Sequence, residues 1–586
     1  MNRAVAPARQ ASLPYAWMLL LLGAVVVYLT GLDNLYLPSN GDEMVYSHIA
    51  RLTAESGHWL PLVSDLDHMR NTKPPLLFWQ AMVAGDWGHH WDLWRLRLPA
   101  VLYTLLLTAA VATAGWLFTQ RADTALIAAC VYLAFFSTFR YGRPYLTSAA
   151  ETFWLSLPIF SLLWRAWRPK PAVALPGWGL FTLWGLAWGL GLAYKSFALI
   201  VPAAGSLWCA LLLLYAPWQQ WPANRAALLA STWRISLAVA WSALLAVAVF
   251  SLWFALDSDP AAVWREFVVN ENAGKLLHEG WRSALSGTVV QALAYVENAG
   301  PLALIVVGLG LQGLLWAYRG LVGHRETSAD ARPGAGVPVA WLLVWLMVFC
   351  IPTQRSARYV IPAMPALALL IALYWTRIGR GWFLGTLLLC LPLLALLART
   401  TWAMHSLGAA TDLETSLAAA TLLLGCALIV AGLWRKSWSR ACAIAAVLTV
   451  LAQLNCMLAP FASPTAEFGD PQAQALQGKR VAVPNAFNGQ YERYQFLLPN
   501  NHFIPYSAVA ESELDTLLRQ LLQDYDAVVW QQVHDAPPPC AHGECRLLAS
   551  RWDMKSRHQP GEVRLDNLFY PQQWLLRKEF LLVKAN

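Results

Sequence analysis

The sequence predicts an α-helical polytopic membrane protein of about 13 transmembrane helices with interfacial helices beside them, followed by a small C-terminal α/β domain. Three observations carry this expectation. Hydrophobic residues make up 58% of the chain and charged residues 13%, with a mean hydropathy of +0.43, a balance too apolar for a water-soluble globule. Uncharged or nearly uncharged runs recur from residue 15 to residue 466, most of them long enough to cross a hydrocarbon core of about 30 Å. After Pro464 charged residues return and the long runs stop.

Tyr15 to Leu32 is the first span, behind Arg3 and Arg9; no small-residue cleavage site follows, so it reads as a retained anchor rather than a signal peptide. Further spans are predicted at 98–120, 124–139, 144–164, 171–194, 196–224, 235–256, 298–318, 333–354, 359–376, 381–398, 415–434 and 441–466. The run at 124–139 is short and the next contains Glu151. An odd count puts the two ends of the chain on opposite sides. With the N-terminus cytoplasmic, the inner loops hold Arg121; Arg165, Arg168 and Lys170; Arg225 and Arg234; Arg319, Arg325 and Arg332; Arg377 and Arg380; and Arg435, Lys436 and Arg440. Every inner loop is then basic, as the positive-inside rule requires. The loop 33–97, the loop 257–297, short links near 140, 195 and 355, and the chain beyond about 460 lie outside. The expected organisation is a transmembrane domain, 1–463, and a soluble outer domain, 464–586.

Within the outer domain Val481–Val483, Ala527–Trp530 and Phe580–Val583 read as strands, and Glu511–Leu522 has helical spacing. Seven of the nine cysteines lie in or beside apolar runs, where a thiol behaves as a small hydrophobe. Cys540 and Cys545, with four residues between them on an oxidising face, are placed for a local disulfide. A zinc site would have to recruit His534, His542 or His558 as well. The net charge of +8 comes without a basic block interleaved with aromatics, which argues against nucleic acid as a partner.

Asn40 to Trp79 is the stretch in which chemistry concentrates. Asp42 and Glu43 follow the first span, and Lys73 stands before Pro74 and Pro75, which restrict its backbone. An acid pair and a cation can thus converge at one membrane face; the competing reading is an ordinary solvated loop. Met44–Thr53 and Pro75–Val83 read as interfacial helices, and Trp59, Trp79, Trp87, Trp91 and Trp94 as a headgroup-level aromatic belt. Arg51, Arg70, Lys73, Arg140, Arg143, Lys195, Lys275, Arg355 and Arg358 lie outside against the charge bias. Such cations suit an anionic lipid head group, or they snorkel or pair with Asp and Glu.

Asp42-Glu43 after the first span, Lys73-Pro74-Pro75-Leu76, the GRPYLTSAAETF segment at 142–153 and the RYVIPAMPALALL segment at 358–370 together resemble the membrane glycosyltransferases that include the lipid A aminoarabinose transferases and, more distantly, the protein O-mannosyltransferases. The likeness covers the whole membrane part. It implies a C-type glycosyltransferase fold in a bacterial inner membrane, with the outer domain periplasmic. It also implies an undecaprenyl-phosphate sugar as donor and lipid A or another lipid as acceptor. Carried over by motif, the family's catalytic acid falls on Asp42, with Glu43 beside it, and its donor-phosphate lysine on Lys73. Arg355, Arg358 and Tyr359 in the TQRSARY link would join Lys73 at the phosphate. Members usually carry Arg where this chain has Val45, and often Glu where it has Thr72, positions tied to a phosphate contact and a metal ligand. A divalent metal therefore stays open as a cofactor. The family's acidic residue after the third span aligns near Ser148; Glu151 either stands in for it or caps the fourth span.

The chemistry agrees with these residue types. A sugar on a polyprenyl phosphate is already activated, because the phosphate leaves as an anion, so the enzyme needs cations at the leaving group and a carboxylate near the anomeric carbon. No nucleotide-binding glycine loop is required, and the chain has no Walker A pattern. The alternatives are a protein O-glycosyltransferase, a transporter of lipid-linked glycans and a lipid-binding scaffold. A transporter would call for repeated halves with broken helices and ionisable groups at mid-membrane, whereas here the ionisable residues gather near span ends.

Overall fold

The computed structural model of the chain describes residues 14–585 except 39–40, 67–68, 169–173, 219–223, 273–280, 322–333, 353–354, 463–466, 486–488, 508–512, 534–539, 541–544 and 556–560. Helix α1 (Pro14–Leu29) is followed by two short helices, α2 (Asp42–Glu55) and α3 (Leu76–Ala84), which are the two expected between residues 33 and 97. Then come α4 (Leu93–Thr119), α5 (Ala122–Ala134), α6 (Phe136–Tyr141), α7 (Ser148–Trp167), α8 (Trp178–Leu192), α9 (Ile200–Tyr215) and α10 (Arg225–Leu256). A single turn, α11 (Pro260–Val263), runs into a π-helical segment, Trp264–Asn272. Helices α12 (Trp281–Ala299), α13 (Ala303–Leu321), α14 (Val337–Cys350), α15 (Met364–Leu373), α16 (Arg380–Ser406), α17 (Asp412–Trp434) and α18 (Ser439–Leu458) complete the apolar part, with a 3₁₀ segment, Ala357–Ala363, leading into α15.

A helix stands at each of the thirteen predicted stretches. Among the described residues seven helices are long and apolar enough to cross a membrane, and five apolar ones are shorter; α7 has 20 residues and carries Glu151 and Arg165. The chain is a multi-pass membrane protein. Bulky indoles such as Trp188, Trp341 and Trp345 fill the space between helices, while Leu244, Leu423 and Trp434 stand exposed on them, an arrangement suited to hydrocarbon rather than water. The stretch predicted as one span at 124–139 is instead broken, because Phe135 adopts an extended conformation between α5 and α6. Gly300, at φ +59°, passes over this corner so closely that a Cβ would lie 2.4 Å from that of Phe136; only glycine fits there.

The C-terminal part forms a five-stranded sheet in the order β2-β1-β3-β5-β4. Strands β1 (Arg480–Pro484), β2 (His502–Tyr506) and β3 (Ala527–Val533) run parallel, and β5 (Leu576–Lys584) pairs antiparallel with both β3 and β4 (Cys545–Met554). Short helices α19 (Asp470–Ala475) and α20 (Tyr494–Leu497), the amphipathic α21 (Leu514–Asp524) and α22 (Pro571–Trp574) accompany it. Strands β1, β3 and β5 and helix α21 stand where the sequence places them. Cys540 and Cys545 are joined in a disulfide, and His534, His542 and His558 lie outside the described residues.

Three contacts seat the sheet on the membrane part. Tyr36, just after α1, donates to Asp553 and accepts from Arg551 at 3.1 Å, inside a buried network in which Arg551 also donates to Glu579 at 2.6 Å. Arg51 on α2 donates to Glu492 at 2.6 and 2.8 Å, and His48 bridges Glu492 (2.8 Å) and Asp65 (2.5 Å). Gly489, at φ +68°, lies over α2, where a Cβ would come within 3.1 Å of Val45 Cγ2. Val45, where the resembling family usually carries Arg, is therefore part of this docking surface.

Candidate active site

Four loops bring charged side chains to one cavity of about 300 Å³. Asp42 opens α2, where the helix dipole favours a carboxylate. Lys73, held by the following prolines, donates from Nζ to the Thr72 carbonyl at 2.7 Å and to Glu271 Oε1 at 2.9 Å. Arg358 sits in the first turn of the 3₁₀ segment, where the Ser356 hydroxyl accepts from its backbone N–H. Its Nη1 donates to Asp42 Oδ2 at 2.9 Å and its guanidinium lies 5.2 Å from the Tyr141 ring centre. Tyr359 lines the cavity with its ring stacked on Phe349. Lys195, in the link after α8, donates to Glu151 Oε1 at 2.7 Å. Phe197, Leu199 and Phe349 supply an apolar wall.

These loops follow the first, fifth, seventh and ninth apolar helices of the series. If successive helices cross in alternate directions, all four loops and the chain after the thirteenth share one face, which is the sidedness that the basic inner loops predict.

Of the predicted site residues, Asp42, Lys73, Arg358 and Tyr359 are brought together in the cavity wall. Glu43 is not in that wall. It is buried, accepts from Arg97 at 2.7 and 2.9 Å and from the Tyr145 N–H at 2.8 Å, and so braces α2 against α4. Glu151 stands behind the wall, fully buried, holding Lys195; its Oε2 has no hydrogen-bond partner among the described residues. Arg355 donates to the Cys350 carbonyl at 3.3 Å, and Lys275 lies outside the described residues. Tyr46, Lys195, Ser196, Glu271 and Asn272 also line the cavity, and the sequence pattern gives none of them a site role. Lys195 stands out in the sequence only as an outer cation, and Glu271 lies about 200 residues from the motif it completes.

Each cavity cation faces a carboxylate: Arg358 with Asp42, Lys73 with Glu271, Lys195 with Glu151. Burial, and then the neighbouring Asp42, push the Tyr46 phenol well up, so it stays protonated as a donor. Of the outer cations, Arg51 and Arg70 also pair with acids, Arg51 with Glu492 and Arg70 with Asp259 at 3.5 Å. Arg143 is buried and donates to Asn455 at 2.9 Å, a structural role.

The donors here do not match a divalent metal site. Thr72 offers only a hydroxyl where a carboxylate would be wanted, Asp42 and Glu271 are each committed to a cation, and no cluster of three or more His, Cys, Asp or Glu side chains occurs among the described residues.

The helical array, the two helices ahead of the second span, the C-terminal sheet and this charged cavity define a multi-pass membrane protein of the C-type glycosyltransferase fold. The structure superposes on ArnT from Cupriavidus metallidurans bound to undecaprenyl phosphate with a TM-score of 0.60, covering 97% of this chain and 98% of that one at 16% identity. In sequence the chain is similar to undecaprenyl phosphate-alpha-4-amino-4-deoxy-L-arabinose arabinosyl transferase 1 of Sodalis glossinidius, 25% identical over 365 residues that cover 61% of this chain and 58% of that protein. A Pectobacterium carotovorum protein of the same type is 25% identical over 384 residues, covering 61% and 59%. The chain thus matches somewhat less than two thirds of the length of these curated relatives. No protein-family model matches it.

Proposed function

We propose that the protein transfers a sugar, aminoarabinose or a related one, from undecaprenyl phosphate to lipid A or a similar lipid on the periplasmic face of the bacterial inner membrane, with 464–586 as a separate periplasmic domain. The observation that carries this reading is the convergence of Asp42, Lys73, Lys195 and Arg358 on one cavity, in a fold shared with a protein that binds undecaprenyl phosphate.

In this mechanism Lys73 and Arg358, with the Tyr359 hydroxyl, receive the donor phosphate. The phosphate displaces the Glu271 and Asp42 carboxylates that now hold those cations, exchanging one ion pair for another, so desolvation is shared rather than added. Asp42, released from Arg358, faces the anomeric carbon. The bond from that carbon to the phosphate oxygen breaks, the phosphate keeping the electron pair, and a bond to the acceptor oxygen forms. If the acceptor is a hydroxyl, Asp42 takes its proton; an acceptor phosphate, largely ionised near neutral pH, needs only orientation. No step runs through a metal. Glu151 keeps Lys195 oriented, and its open Oε2 is available to a sugar hydroxyl.

Mass spectrometry of lipid A from cells with and without the gene tests the acceptor. An aminopentose increment that disappears with Asp42→Asn is expected. Unchanged lipid A with a sugar gained by a surface protein would replace the lipid acceptor with a protein one.

A further inference from the structure

The loop 561–570 is built around Asn567. Its Oδ1 accepts from the Arg564 N–H at 2.8 Å, its Nδ2 donates to the Glu562 carbonyl at 2.8 Å, and its carbonyl accepts from the Tyr570 N–H at 2.8 Å and the Trp574 indole at 3.1 Å. A loop so internally bonded has a defined shape, yet it turns apolar side chains outward. Leu565 is 90% exposed, and Val563, Phe569 and Tyr570 are exposed beside it. Among the described residues after 467 the only other large exposed hydrophobic is Leu547, so the exposed apolar surface of the sheet domain is concentrated in this one loop. Exposed apolar surface gathered in that way marks an interaction site.

The position of the loop says what covers it. Its C-terminal end runs directly into α22 and β5, and there Leu575 and Leu576 share an apolar cluster with Met404 at the end of α16 and with Leu458 and Phe461 at the end of α18. Both helices are long and apolar enough to cross the membrane. The loop is therefore anchored where two spans end, at headgroup level, and its exposed side chains continue the exposed surface formed by Trp402 on α16 and Leu413 on α17. Two aromatic rings among aliphatic side chains is the composition that settles at a membrane interface.

We infer that loop 561–570 dips into the bilayer that surrounds the spans, with Leu565 at its tip among acyl chains, and so fixes the sheet domain against the membrane beside the ends of α16 and α18. The inference goes beyond the transfer reaction and holds whatever the substrate is.

The test uses the full chain in nanodiscs of phosphatidylethanolamine and phosphatidylglycerol, with the photo-crosslinking residue p-benzoylphenylalanine at 565 or, as control, at 547. Leu547 is an exposed residue of the same sheet, seven positions along β4 from Met554, or about 23 Å at ~3.3 Å per residue. Lipid adducts at 565 in clear excess over 547 are expected, by roughly tenfold or more. Equal lipid labelling at the two positions, or protein adducts in place of lipid at 565, would overturn the inference. Leu565→Asp should also weaken sedimentation of detergent-extracted protein with phosphatidylglycerol vesicles, without changing its melting temperature; equal sedimentation would count against insertion.

Discussion

Asp42 and Arg358 are 316 positions apart in the chain and form an ion pair of 2.9 Å, tying the N-terminus of α2 to the 3₁₀ segment before α15. The pair closes the cavity on the side where a donor would enter, and each partner has a second task once substrate arrives: the guanidinium to hold phosphate, the carboxylate to serve the acceptor.

Asp42→Asn keeps the shape and loses both charge and basicity. Transfer should fall on the order of a hundredfold or more, while expression and donor binding persist. Turnover assays on purified variant protein check this; near wild-type rates would move the carboxylate role to Glu151.

Lys73→Ala and Arg358→Ala each remove a charge-assisted contact to the donor phosphate, at a cost of about 1.5–3 kcal/mol in donor affinity. Glu271→Gln removes the carboxylate that competes with phosphate for Lys73, so it should tighten donor binding. Titration with undecaprenyl phosphate measures all three, and an unchanged affinity throughout would remove the phosphate site from this cavity.

Glu43, although adjacent to Asp42, is expected to act on stability rather than chemistry. Glu43→Gln leaves the buried Arg97 guanidinium without its counter-ion, and breaking a buried pair costs about 3–5 kcal/mol. Thermal unfolding in detergent should show a clear loss, with the turnover of the surviving folded fraction near normal.

The docking of the sheet on α2 should weaken at alkaline pH. Burial opposes a charge on His48, but its hydrogen bonds to Asp65 and Glu492 outweigh that and raise its pKa from 6.5 to about 9. A raised folded-state pKa means that this stabilisation is fully present below about 6.5 and is lost as pH rises through about 9. Asp65 is lowered by the same bond and stays ionised throughout; Tyr491, also facing His48, is raised by burial and stays neutral, and Arg51 stays charged. Melting temperatures at pH 6.5 and 9.5 should differ in the wild type and converge in His48→Gln.

The helical array was legible because a water-soluble protein rarely carries uncharged runs long enough to span a bilayer, and the basic inner loops supplied an independent check. The outer sheet was only half legible. Strand β2 carries Pro505, which is tolerated because β2 is an edge strand. Strand β4 lacks an apolar alternation because Arg551 and Asp553 serve the buried ion network. In the site, Asp42 and Lys73 could be read from a motif, and Arg358 from its unusual sidedness. Glu43 and Asp42 could not be told apart, since neighbouring residues on a helix point in different directions and only packing shows which one meets Arg97. Glu271 and Lys195 carried no local pattern at all, because their partners come from helices far away in sequence.

The most direct test of the account is turnover by purified protein reconstituted with radiolabelled undecaprenyl-phosphate aminoarabinose and lipid A. Label should move to lipid A with release of undecaprenyl phosphate, and Asp42→Asn and Arg358→Ala should each reduce that transfer. If neither this donor nor other polyprenyl-phosphate sugars lose their sugar to any lipid or protein acceptor, while the folded protein still carries them across a bilayer, the glycosyltransferase reading is contradicted and the cavity belongs to a transporter.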